Sequence, residues 1–248
     1  MANMAKFKKK WKFFWGYVWD MLKAALLPLL MYVCAGSIVL MLGIKFDEDV
    51  FSFKKYVVVW TVVCIVAAVA YNGFAAWANG GTHYEMLASG NVKRATAEMY
   101  GEGYKISSHK ESKEYRVWKG FLIGGIVALV PLVFGIVFGC MQTTIDARLA
   151  EQKMGAVELL GLLLSGWSIM PVYYANAVGS NASYFLTCLF AILPVAVTGG
   201  FYIAGAYARR AKAIRQQEIA DKAAQTEANK PKKINYGGLP GTKPKKRK

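Results

Sequence analysis

Apolar positions along this chain gather into long runs that no charge interrupts, and the charges are dense in the segments between them. Four runs, 24–44, 57–78, 120–141 and 184–208, each hold more than twenty residues without Asp, Glu, Lys or Arg. About twenty residues at a rise of about 1.5 Å cross a hydrocarbon core roughly 30 Å thick, so each run predicts a transmembrane helix. Lysines precede the first run, as they would in a signal peptide. That run is longer than an h-region, however, and Gly43-Ile44-Lys45-Phe46-Asp47 lacks a small-x-small cleavage pattern, which predicts a retained span.

A fifth apolar stretch, 154–174, is long enough to cross but carries Glu158, Ser165, Ser168 and Pro171. A charge at mid-membrane costs ~2.5 to 3.5 kcal/mol. The stretch therefore reads as an outer-face helix or a re-entrant segment packed against the bundle, a geometry permitted where protein or a wet cavity surrounds it. In the first 23 residues, Phe7, Trp11, Phe14, Trp15, Val18 and Leu22 fall on one helical arc, with Lys8, Lys9 and Lys12 largely opposite. Residues 1–23 thus predict a basic amphipathic interfacial helix whose rings and ammonium groups sit at the headgroup layer. Between the second and third spans, 79–119 shows a helical pattern over Tyr84, Leu87, Val92, Ala95 and Met99, broken at Gly101 and Gly103. Ser108 and Glu111 then resemble a capping box, after which a helix could run on through Trp118 into the third span. The insert predicts a small helical hairpin, too short for an enzymatic domain. After residue 208 hydrophobicity is lost; a short helical extension to about Asn229 gives way to a basic segment that cannot bury a core, so 209–248 is expected to be a largely disordered tail. The predicted fold is all-α, a polytopic helical membrane protein in which 24–208 forms a bundle of four transmembrane helices, with the N-terminal interfacial helix and the outer-face or re-entrant segment added.

Composition sharpens this picture through the charge. The 248 residues are 55% hydrophobic yet carry a formal charge of +16, a contradiction that membrane proteins resolve by segregation. Residues 1–23 hold six Lys against one Asp, 79–119 seven Lys or Arg against five Glu, and 209–248 thirteen against three. The positive-inside rule places all three segments in the cytoplasm, which requires an even number of spans; a fifth crossing would put the thirteen-cation tail outside. Short outer loops and a lysine-rich inner face point to a multi-pass protein of the bacterial plasma membrane, although Asn181-Ala182-Ser183 is a formal glycosylation sequon.

Candidate chemistry is sparse. Cys34, Cys64, Cys140 and Cys188 lie in apolar stretches without metal-ligand spacing and read as small packing residues. His83 and His109, twenty-six residues apart in the insert, read as surface histidines, and no phosphate-binding glycine motif is present. No catalytic residue, cofactor or metal is predicted. Pro28, Pro131, Pro171 and Pro194 can kink apolar helices. Gly120 with Gly124, Gly135 with Gly139, and Gly200 with Ala204 provide small residues for close helix approach. Asn72 is the strongest polar candidate inside a span, with Thr61, Thr187 and Thr198 weaker; it is expected to bond a neighbouring helix. Glu158 would face water if its stretch is interfacial.

The clearest functional signal is basic. Lys8, Lys9, Lys10 and Lys12 with Trp11 and Trp15 at one end, and Arg209, Arg210, Lys232, Lys233, Lys243, Lys245, Lys246, Arg247 and Lys248 at the other, are candidate sites for anionic lipid or another polyanion. Each such cation near an anionic leaflet contributes about 1 kcal/mol, and clustered lysines equally bind phosphate backbones without sequence specificity. In composition the tail resembles the ribosome-contacting basic tails of the YidC/Oxa insertase family, a resemblance that implies the ribosome as a partner. It covers the tail alone, because these four runs hold no Arg or Lys where that family has a basic residue in a polar groove. The leading expectation is a non-catalytic membrane component that assembles with partner proteins or with itself. The alternatives are a small transporter or channel subunit and a ribosome-associated insertion factor.

Overall fold

A computed structural model describes residues 2–43, 55–90, 114–150, 155–177 and 180–229. All regular structure among them is helical: α1 (Ala2–Gly43), α2 (Lys55–Ser89), α3 (Val117–Cys140), α4 (Gln142–Ala150), α5 (Ala156–Ala177), a 3-10 turn at Tyr184–Leu186, α6 (Thr187–Phe190) and α7 (Ile192–Ala228). Five helical stretches are long and apolar enough to cross a membrane, and one of them, Ala156–Asn176, covers most of the fifth apolar stretch. Two compact units result: Met1–Arg209, the bundle, and Arg210–Lys248. Arg210–Ala228 is helical and exposed along its length, matching the extension expected to end near Asn229.

No break separates an N-terminal interfacial helix from the first span. α1 is one helix of 42 residues with Pro28 inside it, about 63 Å long at ~1.5 Å per residue, or roughly twice the hydrocarbon thickness. The boundary expected at residue 23 is absent because nothing there interrupts the backbone hydrogen bonds. The basic aromatic stretch is a helical continuation of the span. Its aromatic arc does face outward: Trp11, Phe14, Trp15 and Leu22 are exposed.

The bundle has two ends. At the proximal end Tyr17 meets Trp118 at 5.6 Å between ring centroids, Tyr115 stacks on Tyr202 at 5.3 Å, and Arg209 pairs with Glu85 at 3.0 Å. At the distal end Phe138 meets Tyr184 at 5.8 Å, and Gly139 faces Phe185. Between them α3 and the last helical stretch run antiparallel, with Gly120, Gly124, Gly135 and Gly139 meeting Tyr202, Thr198, Thr187 and Phe185 in turn. A Cβ on Gly124 would lie 2.7 Å from the Cα of Val195, so only glycine allows this approach. Gly200, grouped with these residues from its spacing, faces open space; Gly205, against the Trp77 carbonyl, brings α7 onto α2 instead.

α5 lies at the centre. It is the most enclosed of the five stretches, with 61% of its most apolar 18 residues buried against 28–39% in the others, and it packs chiefly on α1. It is also bent. Ser165 leaves the helical region (φ −129°, ψ 19°), and the arms on either side of it return to one end. Glu158 and Tyr173 come within electrostatic reach of each other and of Tyr184, whereas fifteen residues of straight helix would separate them by about 22 Å. Leu162, Ile169, Met170, Tyr173 and Tyr174 share one distal core cluster with Phe138 and Tyr184. The bend reaches inward to Trp167, which joins Tyr32, Ala68, Ile123 and Val127 in the second cluster. There Gly36 of α1 meets the Gly166 and Trp167 backbone, and a Cβ on Gly36 would lie 2.9 Å from the Trp167 nitrogen. Four helical stretches thus run between the two ends, and α5 enters and leaves at the distal one.

Candidate functional site

At the bend the polar groups serve the backbone. The Asn72 amide nitrogen donates to the Pro28 carbonyl at 3.3 Å, tying α2 to α1 as expected of this residue. Asn72 and Tyr32 are both wholly buried. The Tyr32 hydroxyl lies beside the Asn72 carboxamide at a geometry looser than a full hydrogen bond, and its ring packs on Trp167 at 4.5 Å. Ser168 donates its hydroxyl to the Ser165 carbonyl at 2.9 Å, which leaves the Ser165 hydroxyl to donate to Ser168 Oγ at 2.7 Å. The carbonyl at the bend therefore has a partner without water. Thr187 and Thr198 likewise donate to the carbonyls of Tyr184 and Pro194.

Glu158 does not face water. It is 6% exposed, accepts the Gly155 amide on Oε2 at 2.8 Å and pairs through Oε1 with Arg148 at 3.0 Å. Reaching back over three residues to the amide that precedes the helix, it makes the carboxylate half of a capping box and places its charge at the favourable end of the helix dipole. No pattern of spacing announces that Arg148 folds back over this turn. Near the same end Tyr184 approaches Asn176.

The proximal end holds a cluster that the sequence reading missed. His83, expected at the surface, is half-buried and shares a 2.9 Å hydrogen bond with the Tyr202 hydroxyl. The Tyr115 amide donates to the His83 carbonyl at 3.1 Å. α3 begins at Val117, earlier than Gly120, so it includes Lys119, which is fully buried and donates to the Glu114 carbonyl. Tyr115, outside the spans, has its phenol pushed above the usual range by burial first and by Tyr207 second, and so stays a neutral hydroxyl at ordinary pH. One sequence signal pointed here: His83 stands about a turn beyond the second apolar run, where interfacial aromatics gather.

The basic candidates divide. Lys8, Lys9, Lys10 and Lys12 lie on α1, but their side chains are outside the described residues. Trp11 and Trp15 are exposed 5.8 Å apart, and Lys23 Nζ sits 5.5 Å over the Trp19 ring. Trp77 and Trp118 are also exposed toward this end. Arg209 is held by Glu85, whereas Arg210 is exposed. Lys232, Lys233, Lys243, Lys245, Lys246, Arg247 and Lys248 lie outside the described residues, as do His109 and the Ser108–Glu111 capping box. All four cysteines are free, and among the described residues no three His, Cys, Asp or Glu side chains gather as metal ligands would.

These elements define a helical integral membrane protein with several apolar spans. The chain matches no family model, no curated protein and no solved structure.

Proposed function

We propose that this chain is a non-catalytic component of a bacterial plasma membrane, assembling with partner proteins and holding anionic lipid headgroups through its basic ends. It crosses four times, with both termini in the cytoplasm and α5 re-entrant from the outer face. The observation that carries this reading is the exposed aromatic face of α1, Trp11, Phe14, Trp15 and Trp19, on the helix that also bears Lys8 to Lys12. Rings of this kind favour the headgroup boundary, where lysines reach lipid phosphates. The interior polar groups support a structural role over a permeation path, because Asn72, Ser168, Thr187 and Thr198 are directed at backbone carbonyls.

The test is reconstitution of the full chain into nanodiscs of mixed anionic and zwitterionic lipid. Wild type should enrich the anionic lipid around itself, and a K8Q/K9Q/K10Q/K12Q variant truncated after Arg215 should lose most of that enrichment. Equal enrichment in both would defeat the proposal, and salt-sensitive co-sedimentation with ribosomes instead would favour the insertion-factor alternative. A cysteine engineered beside Lys248 should resist an impermeant reagent added outside the cell; labelling there would overturn the topology.

A further inference from the structure

A cavity of about 670 Å³ lies between the second arm of α5 and the start of the last helical stretch, walled by Pro171, Val172, Ala175, Phe190, Leu193 and Ala196. It follows from the bend: an arm of α5 turned back at Ser165 leaves the groove beside α6 and α7 partly unfilled. Its rim residues Leu189 and Ile192 are exposed, 61% and 64%, so the cavity opens on the outside of the bundle. Its depth follows from the chain. The last stretch starts at the distal end with Tyr184, and residues 186–196 lie about 3 to 18 Å along it at ~1.5 Å per residue. With the edge of a hydrocarbon core roughly 30 Å thick at Tyr184, that runs from near the distal edge to just past the middle.

We propose that this cavity binds one acyl chain of a membrane phospholipid, inserted from the surrounding leaflet between α5 and α6–α7. Water is not its occupant, because an apolar cavity offers none of the polar partners an ordered water needs. A partner helix or a second copy would lie across the open side of the groove instead, and a dimer that depends on Ala196 would reveal it. An acyl chain is narrow and flexible, is present at high concentration at this depth, and gains close packing against apolar walls that the bulk lipid does not offer. The inference needs only that the bundle is embedded in a bilayer; the sidedness and headgroup preference proposed above can fail without touching it.

The full chain would be purified in mild detergent that strips annular lipid and weighed intact by native mass spectrometry. Wild type should retain one phospholipid per chain. Ala196→Trp, which fills the cavity, should lose that lipid, whereas Leu193→Ala, which enlarges it, should keep it. Retention by Ala196→Trp equal to wild type would overturn the proposal, as would a lipid-free wild type or a dimer that depends on Ala196. Should Ala196→Trp not fold, wild type in bilayers carrying a diazirine-labelled acyl chain gives the answer alone. Labelling of Leu189–Leu193 and Pro171–Ala175 should exceed that of Leu26–Leu30, which meets lipid without a cavity; equal labelling would refute the site.

Discussion

α1 and α5 cross at Gly36 and Gly166, and each contains a proline, yet they respond in opposite ways. α1 stays helical through Pro28 for 42 residues. α5 bends six residues before Pro171, at Ser165. Proline content therefore does not decide where these helices bend. What differs is how the backbone near each position is supported. At Pro28 the carbonyl accepts Asn72 from α2, an external tie that docks the continuous helix. At Ser165 the departure from helical geometry is answered within the helix, by Ser168, and is held in place by the α1 backbone at Gly36.

The comparison can be broken most forcefully at the crossing itself. Gly36→Leu drives a side chain into the Trp167 and Gly166 backbone, which cannot give way as a flexible side chain would. The loss should reach or exceed the upper end of the ~1 to 3 kcal/mol typical of overpacking; unfolding in mixed detergent micelles would measure it, and wild-type stability would mean the helices do not cross there. Asn72→Leu should cost about 1 kcal/mol, within the range measured for hydrogen bonds between membrane helices. If α1 then gained a kink, seen as a changed spin-label distance between positions 22 and 41, the tie would be what keeps it straight. Glu158→Ala removes both the cap and the ion pair. Because Arg148 is 40% exposed, its charge remains hydrated, and a loss of about 1 kcal/mol is expected. Smallest of all should be Pro171→Ala. Spin labels at positions 157 and 175 should stay close together, and a separation approaching straight-helix length would show that Pro171, not Ser165, makes the bend.

Much of the architecture was legible because lipid is a demanding solvent. Charge-free runs near 24–44, 57–78, 120–141 and 184–208 recur as helices, and Ser165, where α5 leaves helical geometry, lies in the stretch that polar residues had set apart. Charge parity favoured a re-entrant or outer segment there, whereas length and composition alone rank it with the other four as able to cross. Less legible was whatever depends on approach between distant residues. His83 and Tyr202 are 119 residues apart, and no periodicity announces that they share a hydrogen bond. Lys119 looked like a loop charge because the apolar run starts at the next residue. Its burial comes from helix packing around α3 and from the Glu114 carbonyl that turns back to meet it. Gly200 was misassigned for a related reason: spacing of four identifies a stripe of small residues but not which side of α7 faces a neighbour. The absence of a boundary at residue 23 was hidden too, since an amphipathic pattern describes which faces are apolar and not whether the axis turns.

The unbroken length of α1 bears on how the protein meets bilayers of different thickness. Trp19, with Lys23 over its ring, lies seventeen residues from Gly36, about 26 Å along one continuous helix. With Trp19 anchored at one surface, the depth at which α1 touches the bend of α5 is measured from that surface, whereas both arms of α5 start from the distal end of the bundle. Lengthening the lipid chains moves the two reference planes apart, and α1 cannot stretch to follow. The mismatch falls on tilt of α1 or on the Gly36–Trp167 contact, so acyl-chain length is a mechanical variable that acts directly on the centre of the bundle.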